Sequence, residues 1–194
     1  MRKIPSLFQR EDAPRGRQSL VVDRVTPGCE WVLAGEGVAT VKFDGTAVLV
    51  RDGVLYARFD AKRGKPAPAG AIPCQEADPV TGHHPHWVRA DRPEDRWIRE
   101  AAANSPWLAH VAGETTAEAC GPKINSNAEG LDSHVLWEHG CEIEPEAPRT
   151  FEALSRYLSD GRMEGLVWHH PDGRMAKIKT RDFGHAWPSK RSPS

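Results

Sequence analysis

The chain reads as an α+β protein built on antiparallel sheet. Three observations predict this. Short runs of β-branched and aromatic residues are punctuated by Gly and Asp-Gly, hairpin signals stand near both ends of that pattern, and only two segments carry helical periodicity. At 194 residues and 21.5 kDa the chain suits one domain with a sizeable core. A single domain is expected over 1–186.

Residues 5–28 are rich in Pro, Arg and polar residues, so 1–28 is expected to form an irregular arm. From Trp31 the pattern turns to β, with short strands predicted at Trp31–Ala34, Val38–Phe43, Thr46–Arg51 and Val54–Phe59. Asp52-Gly53 between the last two is a hairpin signal, since both residues accept the left-handed backbone of a tight turn. Residues 64–93 hold six of the sixteen prolines and little periodicity, and are expected to be a long connection or flap. Glu94–Asn104 reads as a helix, with Pro93 early, acids in the first turn and Trp97, Ile98 and Ala101 on one face. Thr115–Cys120 and His134–Trp137 are further strands. Thr150 can cap a helix over Phe151–Leu158 that Gly161 terminates. Gly165–His169, the turn Pro171-Asp172-Gly173 and Arg174–Thr180 form the second hairpin. A mobile tail is expected over 187–194.

The formal net charge of -1 conceals an asymmetry. Residues 1–24 carry six basic and three acidic side chains, 174–194 carry six and one, and 94–160 carry five and thirteen. Basic ends around an acidic middle are compatible with binding a polyanion, and equally with ordinary solvated charge. The four cysteines are widely spaced with no Cys-x-x-Cys pair, which points to a reduced, cytoplasmic protein rather than a disulfide scaffold. The start, MRKIPSLFQRED, has no apolar core of signal-peptide length, and no segment reaches the roughly 20 apolar residues of a membrane helix.

One lysine stands out. Lys42 lies in Lys42-Phe43-Asp44-Gly45-Thr46, echoed downstream by Glu164-Gly165 and by Lys177-Ile178-Lys179. A lysine amine is a poor nucleophile while protonated, with a reference pKa of about 10.4, and neighbouring cations favour its neutral form. Lys177 and Lys179 share a strand face by alternation, where they can grip phosphate and raise the positive potential near Lys42. Asp44 offers a nearby carboxylate, Gly45 permits close backbone approach, and Glu164 is a hard oxygen ligand suited to Mg²⁺. Each element alone is weak, because Lys-x-Asp-Gly is usually a turn and Lys-x-Lys a solvated face. Their order on separate predicted strands carries the weight.

These residues resemble the motifs of the covalent lysyl-nucleotidyltransferase superfamily of DNA ligases, RNA ligases and mRNA capping enzymes, and compact RNA-ligase-like proteins above all. The resemblance extends from Lys3-Ile4-Pro5 to Asp182-Phe183-Gly184 and includes Pro27–Gly37, which leads into the lysine motif. It implies an ATP-grasp-like ligase domain in which Lys42 takes AMP from ATP as a covalent intermediate. Arg58 and Lys62, within Leu55–Lys65, resemble the next motif, whose basic groups contact nucleotide or phosphate; Arg58, Lys62 and Arg63 all stay open for that role. Glu118, in Ala117-Glu118-Ala119-Cys120-Gly121, is similar to the acid that addresses the ribose. Glu164 is similar to the metal-site glutamate for Mg²⁺ or Mn²⁺, and Lys177 and Lys179 to the pair that holds the α-phosphate. Ala47 stands where many DNA ligases and capping enzymes have arginine, which favours the RNA-ligase branch. Ala117 stands where an aromatic residue often precedes the glutamate, so the adenine platform is expected elsewhere, with Phe43 a candidate. The fifth motif stands close to the end of the sequence, so end joining is expected to rely on this small domain, a partner or a minimal RNA footprint. The implied partners are ATP and an RNA with 5′-phosphate and 3′-hydroxyl ends, with no membrane; the oligomeric state stays open.

Competing readings remain on the residues. His83, His84 and His86 with Cys74 form a metal-ligand type set at unfamiliar spacing, and exposed loop histidines are the stronger expectation. Trp31, Trp97 and Trp168 are expected in the core, while Trp87, Trp107 and Trp187 are surface candidates for stacking bases. Lys123, Asn125 and Asn127 suit either ribose or phosphate contacts or a plain turn. The alternatives in function are a non-catalytic RNA-binding module and an adenylyltransferase acting on DNA ends or another acceptor.

Overall fold

A computed structural model describes residues 2–11, 14, 19–62 and 64–188. In chain order the elements are β1 (Phe8–Arg10), β2 (Val21–Val25), α1 (Glu30–Leu33), β3 (Val38–Lys42), β4 (Thr46–Arg51), β5 (Val54–Ala61), β6 (Ile72–Pro73) and β7 (His84–Arg89). There follow α2 (Arg96–Ala103), β8 (Glu114–Cys120), β9 (Val135–Glu138), α3 (Phe151–Leu158), β10 (Gly165–His169) and β11 (Met175–Lys179). Every pairing between these strands is antiparallel, so the chain is α+β as its sequence predicts.

Two compact units emerge, one formed by Asp44–His139 with the extreme N-terminal residues, the other by Ile4–Phe43 and the described residues from Gly140 on. The chain passes from one to the other within the lysine motif, between Phe43 and Asp44.

The unit containing Lys42 is organised by the three-stranded sheet β11-β10-β3. Alternation sorts its side chains. Ala39 of β3, Leu166 and Trp168 of β10, and Ala176 and Ile178 of β11 are buried in a core with Leu7, Phe8, Trp31, Leu154 and Leu158. Lys42, Lys177 and Lys179 therefore share the opposite face. α3 presents Leu154 and Leu158 to this core, as its spacing predicts. Thr150 occupies the N-cap position but makes no side-chain capping bond, contrary to expectation. Where an irregular arm is expected, β1 and β2 pair, and Pro5–Leu7 runs beside β11 through Lys177 N–H to Pro5 and Leu7 N–H to Lys177. The reason is apolar: Leu7 and Phe8 are fully buried, with Phe8 edge-on to Phe151 at 5.1 Å. Trp31–Ala34, expected as a strand, is instead the short helix α1. Its last carbonyls and the following turn are held by Arg149, which donates to Val32, Glu36 and Gly37.

The other unit is a six-stranded sheet in the order β6-β7-β5-β4-β8-β9. Val48, Val50, Ala57, Ala117, Ala119 and Leu136 pack with Ile98 and Ala101 of α2 into its core. Asp52 and Gly53 both adopt positive φ, 51° and 75°, giving the tight turn between β4 and β5 that the sequence signals. The stretch 64–93 is not a free connection, because β7 pairs with β5 along its whole length and β6 pairs with β7. His84 and His86 thus lie on a strand, and His86 is buried.

Candidate functional site

The lysine constellation is assembled by register. Gly165 pairs with Lys42 on one side and Lys179 on the other, so both lysines flank the residue that follows Glu164. A Cβ at position 165 would lie 2.1 Å from the Ile178 carbonyl oxygen, so only glycine allows β11 this close. Glu164, side chain 6% exposed, accepts from Lys42 Nζ at 2.5 Å through Oε2 and from Lys179 Nζ through Oε1. Lys42 Nζ also lies 3.3 Å from its neighbour's Phe43 carbonyl. Asp182, also buried, fixes the end of β11 by accepting from Lys179 N–H at 3.0 Å and pairing with Arg10 at 2.5 Å.

Lys177 is different. Among the described residues its ammonium has no hydrogen-bond or ion-pair partner. Burial, then the Lys179 and Lys42 charges, push its pKa from 10.5 down to about 8, against the pull of Glu164 and Asp182. Lys42, Glu164, Lys177 and Lys179, more than 120 residues apart at the extremes, are thus brought together in one unit.

Among the described residues no group of three His, Cys, Asp or Glu side chains is placed to hold a metal ion. Glu164 supplies one carboxylate, which fits Mg²⁺ of the kind completed by substrate phosphates and water. His83 pairs with Asp60 at 3.2 Å, and His86 Nδ1 meets the His84 carbonyl at 2.8 Å.

The second cluster lies in the sheet unit. Glu118 and Arg58 stand on one face of the sheet while Ala117 is buried in the core on the other, so the residue before the glutamate cannot form a platform beside it. Glu118 Oε1 accepts Gly45 N–H at 3.1 Å, and Glu129 Oε1 accepts Asp44 N–H at 2.7 Å. Asn125 Nδ2 donates to the Gly45 carbonyl at 2.5 Å and lies 3.2 Å from Asp44 Oδ1. Gly45 is glycine for packing: a Cβ there would sit 2.1 Å from the Ala119 carbonyl oxygen and 2.8 Å from Cys120 Sγ. Asn127 bonds Leu131 N–H and C=O, which is turn-building. Lys123 is exposed, and its backbone N–H donates to His134 Nε2.

Arg58 pairs with Asp60 at 2.9 Å and lies 6.0 Å over Trp87. Burial would raise the Asp60 carboxyl, but its bonds to Arg58 and His83 outweigh that and hold it below the ordinary value. Lys62 is exposed beyond β5, and Arg63 lies outside the described residues, as does most of the expected tail.

Trp31 and Trp168 are buried as expected, whereas Trp87 and Trp187, expected at the surface, are 4% and 8% exposed. Trp87 is covered because its segment is an interior strand flanked by β5 and β6. Trp97 is half-buried, with His134 stacked at 4.8 Å and the Arg96 guanidinium at 4.2 Å. Trp107 is half-buried and donates to the Leu136 carbonyl at 2.9 Å. Two residues that sequence reasoning passed over stand beside Glu118: Trp137, directly across from it in the register, and His139, hydrogen-bonded to it. Neither carries a motif signal, because cross-strand neighbours leave no spacing pattern in a single chain.

Part of the chain is similar to RNA ligases. In particular, the model of the RNA ligase 1 family matches residues 105–192, which include Glu118, Glu164, Lys177 and Lys179. RNA ligase 1 of Danio rerio is 36% identical over 84 residues, 39% of this chain and 26% of the relative. RNA ligase 1 of Pongo abelii is 28% identical over 166 residues, 64% of this chain and 50% of the relative. The chain thus spans half or less of the relatives it matches. A solved RNA ligase of Naegleria gruberi overlaps 79% of this chain and 53% of its own, at 13% identity and a TM-score of 0.38. No helix among the described residues is long and apolar enough to cross a membrane.

Proposed function

We propose that this chain is an ATP-dependent RNA ligase that self-adenylylates on Lys42. The observation that supports it above all is the sharing of one buried carboxylate, Glu164, by Lys42 and Lys179, with Lys177 on the same sheet face. The relatives named RNA ligase 1 supply the substrate class.

In the first step the Lys42 amine attacks the α-phosphorus of ATP. A P–N bond forms, the bond to the bridging oxygen breaks, and pyrophosphate leaves. The Lys42 ammonium, which rests on Glu164 Oε2 at 2.5 Å, must first lose its proton to solvent. Lys177 and Lys179 then face the amine with positive charge, which favours its neutral form, and meet the α-phosphate with compensating charge. A Mg²⁺ or Mn²⁺ on Glu164 would neutralise charge on the triphosphate. Glu118 is assigned the ribose, and Asp44, Gly45, Arg58 and Lys62 other contacts to the nucleotide. In the second step an oxygen of the RNA 5′-phosphate attacks the adenylate phosphorus, the P–N bond breaks and the Lys42 amine takes back a proton; in the third a 3′-hydroxyl attacks the RNA phosphate and AMP leaves. Positioning and electrostatics supply the catalysis.

Incubation with α-labelled ATP and Mg²⁺, followed by mapping of the modified residue, tests the reading. The expected result is an adduct on Lys42 that Lys42→Ala abolishes and that 5′-phosphate RNA discharges with strand sealing. An adduct that persists in Lys42→Ala refutes the nucleophile. Discharge to 5′-phosphate DNA in preference to RNA overturns the acceptor.

A further inference from the structure

We propose that His139 is a positioning residue for Glu118 and thereby sets discrimination between ribose and deoxyribose nucleotides. This deepens the reading of Glu118 as the group that meets the ribose and rests on it.

The geometry is a relay of three side chains on one sheet face. Thr116 Oγ1 lies 3.0 Å from His139 Nδ1, and His139 Nε2 lies 2.9 Å from Glu118 Oε2. The backbone reinforces it, because His139 N–H donates to the Thr116 carbonyl at 3.0 Å. Thr116 and Glu118 are two apart on β8, so they point the same way, and His139 follows directly on β9, the neighbouring strand. Glu118 is buried and His139 half-buried, with side chains 11% and 23% exposed.

A carboxylate only accepts, so Nε2 carries the hydrogen in this bond. In the neutral imidazole Nδ1 then accepts the Thr116 hydroxyl; in the imidazolium it donates to Thr116 Oγ1. Either form keeps the bond to Glu118. The other oxygen, Oε1, is held by Gly45 N–H at 3.1 Å. Each carboxylate oxygen therefore has one fixed donor and one lone pair left. The two remaining acceptor positions, fixed in direction by His139 and Gly45, suit the two hydroxyls of a ribose diol. Without His139 the carboxylate keeps the Gly45 bond but can rotate, and the second hydroxyl loses an aligned partner.

The test is self-adenylylation with ATP, 2′-deoxy-ATP and 3′-deoxy-ATP, comparing wild type with His139→Ala, His139→Gln and Thr116→Val. Wild type is expected to prefer ATP. In His139→Ala the ratio of kcat/KM for ATP over the deoxynucleotides is expected to fall about tenfold, mainly through KM for ATP, the size of one hydrogen bond to a charged group. His139→Gln, which keeps a donor, restores part of the ratio, and Thr116→Val lowers it in the same direction by less. If the substitutions slow all three nucleotides in parallel with the ratio unchanged, His139 is only structural and the inference is overturned. A wild type that forms an adduct without preferring ATP overturns the ribose role of Glu118 instead. A wild type that forms no adduct with any nucleotide overturns the ligase reading itself.

Discussion

Replacing Lys177 by methionine should make the protein more stable at neutral pH. In the fold the side chain is half-buried beside two other lysines, and its pKa is drawn from 10.5 to about 8. At pH 7 the group is charged in both folded and unfolded chains, so the whole cost of holding that charge in the fold is present. Between about 8 and 10.5 the unfolded chain binds more protons, so stability rises with pH; above 10.5 the group is neutral in both states and the cost is gone. The distance between these values corresponds to roughly 3 kcal/mol as an upper estimate. Methionine keeps the length of the side chain without the charge. The expected outcome is that Lys177→Met raises the unfolding free energy at pH 7 by about 1–3 kcal/mol. That gain should shrink steadily as pH approaches 10.5. Urea unfolding of both proteins across pH 7 to about 10 measures it, and titration of ¹³C-labelled lysine methylenes gives the pKa directly. Equal stability at pH 7, or a gain that does not change with pH, would refute the electrostatic reasoning.

Two further perturbations probe the same sheet. Glu164→Gln removes the carboxylate that Lys42 and Lys179 share, and is expected to lower the unfolding free energy by about 2–3 kcal/mol, measured by urea denaturation at low salt. Gly165→Ala forces a methyl to within 2.1 Å of the Ile178 carbonyl oxygen. It is expected to cost more than about 3 kcal/mol, seen as a large fall in Tm or loss of soluble protein.

The features legible in the sequence are those set by neighbouring residues. Asp52-Gly53 marks its hairpin because both residues tolerate positive φ, and α3 is legible from Leu154 and Leu158 on one face. Alternation around Ile178 places Lys177 and Lys179 on one face of β11, with Ala176 and Ile178 in the core. The motif residues Lys42, Glu164, Lys177 and Lys179 stand out in the same way, through residue type and order. By contrast, α1 reads as a strand because Trp31 and Val32 have β preference, and helix over four residues is decided by what covers it and by Arg149. β7 is hidden among prolines and polar residues because its burial comes from β5 and β6, not from its own composition.

From the amino-acid order alone come the α+β class, most strand and helix positions and the set of chemically capable side chains, since each depends on contacts a few residues long. Only the tertiary structure decided that β3 leaves its sequence neighbour β4 to pair with β10, which sets Lys42 and Lys179 on either side of Gly165 and gives them one carboxylate. It alone set His139 against Glu118 and half-buried Lys177 beside Lys42 and Lys179. Strand partnership and burial depend on how distant segments compete to cover one another's apolar faces, and no local pattern of residues records the outcome of that competition.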